Sequence, residues 1–338
     1  MDLFDTSELL IVCSKHHRMM FFAAFILSYL TLLCDAFVLT QVGFGASSKL
    51  EMAVVPPSES STVGVVGRGF ISVLSAKLAA KAGYKTWILA PPGQSDTMLS
   101  LIDDDSLNLE IVEATDSDRV ASNIAETDAY IIAVDDDSTM DEAVINYILN
   151  PETSKKVKRV TAMSRNLNGA DMGFFVKASK MSANAEVWDN SKANDFKKFE
   201  DVIKRQTSAV GGDYTIVRAG TLKGGACGEE PLLPQYLSKK FYEMTKKDII
   251  TWQLLFDCNV RGVKVAKGDV LPGPGNKAIF TATSTEACPG DSSRCGIAEA
   301  LVRSISFENT ANMDFGIGTE EGREPPSDEE WQKLLGSL

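Results

Sequence analysis

Residues 62–72 read TVGVVGRGFIS, and the fold turns on how that stretch is taken. A short run of valine and glycine leads into Gly67-Arg68-Gly69, and Ser72 stands three residues beyond Gly69. In a dinucleotide-binding turn the first glycine permits a tight bend and the second lets backbone approach a pyrophosphate. The third lets the helix close on the strand. Gly67, Gly69 and Ser72 occupy those places. A lone G-x-G-x-x-S is a weak signal. Here it follows a buried-strand pattern, VGVVG, and opens ISVLSAKLAAKAGY, whose Ile71, Leu74, Leu78 and Ala82 keep helical spacing up to Gly83. That context, first in a βαβ unit, makes the turn informative.

Downstream, strands and helices alternate. KTWILA is the second strand and LNLEIVEA the third; Asp118 is placed to cap a helix running through Ile124, before the fourth strand, AYIIAV. A helix from about Met140 to Leu149 leads to the fifth strand, VKRVTAM, and a long helix across residues 193–209 precedes the strand DYTIVRAG. Alternation of this kind, with Val and Ile runs buried on both faces, calls for a parallel sheet with right-handed crossovers. From about Gly220 the pattern loses regularity. Residues 221–295 hold LPGPG, two cysteine-containing loops and one helical stretch near Tyr236 to Lys246, while CGIAEALVRSI is a clean amphipathic helix. The tail TEEGREPPSDEEWQKLLGSL is acidic and ends in a short helix capped by Ser327, with Glu330 three residues on.

The chain carries 338 residues, 44% of them hydrophobic, and a net charge of −12, an acidity that does not suit a nucleic-acid partner, and none is expected. Lys15-His16-His17-Arg18 precedes an apolar run from Met19 to Leu33 that suits a secretory signal and is short for a membrane span. The alternative is an uncleaved signal anchor, the only route to a membrane. Residues 37–61, rich in serine and holding Pro56-Pro57, look like a transit peptide or linker. Together with Ala36-Phe37 at the junction, this beginning resembles the bipartite presequence of plastid proteins in algae with secondary plastids; the secretory lumen is the other destination. His16 and His17 are the only histidines, so a chain processed behind residue 36 has none, which excludes histidine-based catalysis and His-ligated metals. Cys227, Cys258, Cys288 and Cys295 show no CxxC spacing and read as isolated thiols, with a Cys288 to Cys295 bridge as the exception.

VGVVGRGFIS, the KTWIL strand, IVEATDSDRV, DAYIIAV, KRVTAMS, and above all DYTIVRAGTL followed by CGIAEALVRSI resemble the atypical short-chain dehydrogenase/reductases of the NmrA-like, NAD(P)-binding group, over about residues 62–318. The resemblance implies an α/β Rossmann core over 62–220, a doubly wound parallel sheet. It also implies a small irregular C-terminal substrate lobe with closing helix and strand over 221–318, beyond which lies the acidic tail, 319–338. NADP or NAD is then expected across the ends of strands one and four, against Gly67, Arg68, Gly69, Phe70, Ile71, Thr115, Ala133 and Val134. No metal is expected.

The chain departs from the family pattern at several points. The glycine loop is one residue short, and the second strand ends in Ala90-Pro91-Pro92, where a ribose-binding acid or a phosphate-binding base belongs. Arg68, the one nearby cation, either clamps a 2′-phosphate or is a solvated loop residue. After the fourth strand, where the family has a small residue, stand Asp135-Asp136-Asp137, which would repel a diphosphate by roughly 1 kcal/mol per charge pair. Either some turn away or binding weakens; Asp137 or Ser138 capping the next helix and a metal site are the other readings. The family's Ser and Tyr-x-x-x-Lys pass a proton while hydride moves. Here Ser164 lies one residue early with Arg165 at the hydroxyl position, Lys197 or Lys198 stands for the lysine, and Ala193 and Asn194 replace the tyrosine. Tyr236 and Tyr242 have the spacing to Lys240 and Lys246 but fall in the wrong part of the fold. Two readings follow: a plastid oxidoreductase acting on a small carbonyl or unsaturated substrate, or a non-catalytic redox-sensing or complex-assembly scaffold.

Overall fold

The computed structural model describes residues 56–58, 60–136, 138–167, 190–224, 236–238, 240–244, 256–269, 286–287 and 290–338. The expected leader, residues 1–36, and most of the linker lie outside them, as do Asp137, Cys227 and Cys288. Among the described residues no helix is long and apolar enough to cross a membrane.

The strands are β1 Thr62–Arg68, β2 Lys85–Ala90, β3 Leu109–Glu113, β4 Ala129–Val134, β5 Arg159–Arg165, β6 Asp213–Ala219, β7 Thr221–Lys223, β8 Gly262–Lys267, β9 Asp291–Ser293 and β10 Met313–Glu320. The helices are α1 Phe70–Lys81, α2 Ser95–Ile102, α3 Ser117–Glu126, α4 Glu142–Ile148, α5 Asn190–Ala209, α6 Lys240–Met244, α7 Arg294–Arg303 and α8 Asp328–Gly336. The main sheet has eight strands in the order β3-β2-β1-β4-β5-β6-β10-β8, parallel except for β8, which runs antiparallel to β10. This is a Rossmann fold. The strand order reverses between β1 and β4, and the crevice at their carboxyl ends is where such sheets bind ligands.

Alternating residues of the strands feed two cores. Val63, Val65, Ile131, Ala133 and Met163 pack under α1 and α7, while Val66, Tyr130, Ile132, Val160 and Ala162 pack under α3, α4 and α5. The tail helix α8 docks on the first core through Trp331 and Leu335, both fully buried. Its Ser327 and Glu330 form the reciprocal cap that the sequence indicates.

Several local expectations shift. The cap of α3 is Asp116, which accepts from the Arg119 amide, because the helix starts at Ser117 and leaves Asp118 inside its first turn. Asp141, rather than Ser138, caps α4, accepting from the Ala143 amide. Ser138 is spent on a turn in which its amide donates to Asp136. α2 is an addition to the sequence reading. Cys295 is a buried free thiol, so it forms no bridge with Cys288; burial pushes its pKa up to about 11. The irregular stretch after Gly220 supplies β8 to the main sheet and pairs β7 with β9 in a small parallel ribbon.

Candidate functional site

The site is the crevice above β1 and β4, and Gly67 and Gly69 shape its floor. A Cβ on Gly67 would fall 1.8 Å from the Ala133 carbonyl oxygen, so only glycine lets β1 lie this close to β4. Gly69 has φ +89°, the left-handed region that favours glycine, and turns the chain into α1. Ser72 fills the place of the third glycine: it is fully buried, and its hydroxyl donates to the Gly69 carbonyl at 2.8 Å. These features are those of a dinucleotide turn, with the first amides of α1 pointing into the crevice.

Those amides are already taken. Asp135, the first residue beyond β4, accepts from the Phe70 amide at 3.0 Å and from the Ile71 amide at 2.9 Å, one through each carboxylate oxygen. A helix N-terminus offers unpaired donors and a positive dipole end to an anion. Here the anion comes from the chain itself, in place of a side-chain cap that Gly69 cannot supply.

Asp135 is held from two further sides. Arg294, at the start of α7, lies 3.4 Å from Oδ2 through Nε and donates from Nη1 to the Gly224 carbonyl at 2.6 Å. Arg165 donates from Nη2 to the Asp135 carbonyl at 3.0 Å and from Nη1 to the Gly220 carbonyl at 2.8 Å. Burial raises the Asp135 pKa above its ordinary value; Arg294, the two amides and Arg165 act in the opposite direction. Asp136 behaves differently. It is 58% exposed; desolvation is the largest single influence and raises its pKa, but the hydrogen bonds from Ser138, with Arg68 at 3.8 Å and Arg165, together outweigh it and lower the pKa.

The expected site residues fall into three groups. Gly67, Gly69, Phe70, Ile71, Ala133 and Val134 are brought together around the crevice, and Phe70 also stacks edge-on against Phe241, centroids 4.4 Å apart. Arg68 points outward, 53% exposed, and donates to Ser138. Thr115 is exposed after β3, beside Glu113, whose carboxylate accepts from Ser95 and Gly93 and so ties down the loop after β2.

The expected catalytic residues stand on two elements, β5 and α5. Ser164 is fully buried in β5, and its hydroxyl has no hydrogen-bond partner among the described residues. Lys197 and Lys198 lie on the exposed side of α5, whose Phe196, Phe199 and Ile203 face inward. Lys198 sits 3.9 Å from Asp195, at the rim of a cleft of about 430 Å³ between α4 and α5. Tyr236 is buried beside Cys295 and Arg261, and burial drives its phenol far up, away from proton transfer near neutrality. Among the described residues no cluster of three or more His, Cys, Asp or Glu is arranged for a metal ion.

Sequence reasoning foresaw the danger of the Asp triplet but missed the part played by Asp135 and Arg294. The signal was the alternation of β4: Ile131 and Ala133 face α1, so the next residue in phase, Asp135, turns toward the α1 amides while Asp136 turns away.

A nicotinamide dinucleotide does not fit this arrangement as it stands, because the two amides that would take its diphosphate hold a carboxylate and the end of β2 offers no ribose-binding acid. No family model matches the sequence, and no curated protein matches it. Solved structures do resemble it. A wide-type short-chain dehydrogenase/reductase from Veillonella parvula in complex with NADP aligns at 12% identity over 79% of this chain and 99% of its own, with TM-score 0.46. Yeast methylglyoxal/isovaleraldehyde reductase Gre2 complexed with NADPH aligns at 13% identity over 81% and 93%, with TM-score 0.48. Gre2 from Candida albicans aligns at 15% identity over 82% and 93%, with TM-score 0.47. The Rossmann assignment rests on the sheet order and glycine turn above.

Proposed function

We propose that the chain is a Rossmann protein of the NAD(P)-dependent reductase type whose dinucleotide seat is held shut by its own Asp135, so that in the shut state it serves as a non-catalytic redox-sensing or assembly scaffold. The supporting observation is the pair of hydrogen bonds from the Phe70 and Ile71 amides to Asp135. NADP or NAD is the ligand such a seat takes once that carboxylate leaves. Hydrogen bonds to a charged group are worth about 1.5–3 kcal/mol each, so displacing Asp135 costs a ligand roughly two to four powers of ten in affinity.

A second reading, an oxidoreductase acting on a small carbonyl or unsaturated substrate, is favoured by the unpartnered Ser164 hydroxyl, a buried polar atom near the carboxyl end of β5. In that reading Ser164 with Lys197 or Lys198 serves the proton transfer. Titration of the protein with NADPH and NADH, followed by a panel of small carbonyls, separates the two. The shut-seat reading expects weak binding, no turnover, and binding at least a hundredfold tighter in Asp135→Ala. Micromolar binding by the unaltered protein with turnover on a carbonyl selects the oxidoreductase, and an Asp135→Ala protein that binds no better sinks the shut seat.

The signal-like run and serine-rich stretch that precede the core support residence in a plastid, where a small-molecule substrate or a plastid protein complex is the partner. Residues 1–61 fused to a fluorescent protein in an alga with a secondary plastid are expected to direct it there; retention in the secretory lumen would overturn this.

A further inference from the structure

Arg294 occupies a place where helix physics disfavours it. It is the first residue of α7, next to the Ser293 cap, where the positive end of the helix dipole repels a cation. An opposite charge must compensate, and the carboxylate within reach is Asp135, on the far side of the crevice in sequence and adjacent in space. Both side chains are largely withdrawn from water, Arg294 being 17% exposed and Asp135 13%, so the pairing is little screened.

The same arginine is tied to both strands of the β7–β9 ribbon at its carboxyl end. Its backbone continues directly from β9, and its guanidinium bonds the carbonyl of Gly224, the residue after β7. The ribbon itself is held by three parallel pairings, Thr221 with Asp291 through Lys223 with Ser293, and by a buried ion pair of Lys223 with Asp291 at 2.6 Å. Arg165 fixes the backbone of Asp135, but its guanidinium bonds a carbonyl there, not the carboxylate. The carboxylate is therefore positioned by the amides it blocks and by Arg294.

We propose that Arg294 is the positioning residue that latches Asp135 onto the α1 amides, so that access to the dinucleotide seat is governed by the C-terminal ribbon from which the arginine projects. The proposal rests on the shut-seat reading. A partner or modification that draws the β7–β9 ribbon away withdraws Arg294, loosens Asp135 and frees the two amides.

The test is an NADPH fluorescence titration of the full protein in four forms, unaltered, Asp135→Ala, Arg294→Gln and Arg294→Lys, with thermal melting to confirm folding. Arg294→Gln is expected to bind about tenfold tighter than the unaltered protein, and Arg294→Lys, which restores the charge, to return to weak binding. Hydrogen exchange supplies a reading that a merely structural role would not give: faster exchange at Phe70 and Ile71 with the rest of α1 unchanged. Should Arg294→Gln not fold, Arg294→Met takes its place. If Asp135→Ala binds tightly while the uncharged Arg294 variant binds like the unaltered protein and keeps both amides protected, the latch is overturned and the shut seat stands. If Asp135→Ala itself gains nothing, both fall.

Discussion

Asp135 is a carboxylate whose two surroundings pull against each other. The amides of α1 and Arg294 favour its charge, and burial resists it, with burial the largest influence, so its folded pKa lies above the ordinary value. For a raised acid, the folded state binds the proton more tightly than the unfolded chain. Its contribution to stability is therefore present in full below the unfolded value, about 4, and is lost as pH rises through the folded value. A protonated carboxyl accepts less well from two amides and no longer repels a diphosphate. The affinity for NADP is accordingly expected to rise as pH falls through that raised pKa, and in Asp135→Ala to lose this dependence. Calorimetric titration at a series of pH values checks it; parallel pH profiles in the two proteins would show that another group controls the seat. The sequence made this residue legible as a problem, since three aspartates stand where a small residue belongs. It did not make legible that the charge substitutes for the ligand, because that needs the direction of a side chain after β4 ends.

At the scale of elements, what the sequence shows best is what is local. α8 follows from Ser327, Glu330 and the apolar residues behind them, and the reciprocal cap forms as read: the Glu330 amide donates to Ser327 Oγ at 3.3 Å and the Ser327 amide to Glu330 Oε2 at 2.8 Å. Ser327→Ala is expected to cost about 1 kcal/mol, seen as a lower melting temperature. The same contacts hold the Glu330 carboxyl below its usual range, the backbone amide of Ser327 being the largest cause. A lowered acid has the opposite sign to Asp135: its contribution is present above the unfolded value and is lost as pH falls through the folded one. Glu330→Gln should thus lower stability near neutrality and leave it unchanged in acid, a difference that melting curves at pH 7 and pH 3 detect. α2 was not legible for the complementary reason. Only Met98, Leu101 and Ile102 of its short span are buried, too little periodicity to announce a helix, and part of its support comes from far along the chain, where Ser238 donates to the carbonyls of Leu101 and Ser100.

Across the whole molecule, distant segments are joined by an ion network that no local pattern announces. Arg218 on β6 donates to both oxygens of Glu200 on α5, at 2.9 and 2.8 Å, lies 2.7 Å from Asp314 on β10 and 3.5 Å from Asp269; Lys204 stands 4.0 Å from Glu200 and from Asp314. The DYTIVRAG strand was recognisable, yet the use of its arginine was not, because Asp314 is brought beside it only when β10 pairs with β6. The consequence is a join between the first half of the sheet and its C-terminal completion. Removing one partner of a buried pair leaves the other uncompensated, which costs about 3–5 kcal/mol, whereas removing both with apolar residues of similar volume is nearly neutral. Arg218→Met is expected to fall in that range by urea denaturation, because Glu200 and Asp269 are each only 3% exposed and both lose the guanidinium. Asp314 is 30% exposed and loses less. Arg218→Met combined with Glu200→Met should recover the part of the loss that the Glu200 carboxylate carries. A double variant no more stable than Arg218→Met would mean that packing of the arginine stem, rather than the unpaired carboxylate of Glu200, sets the cost.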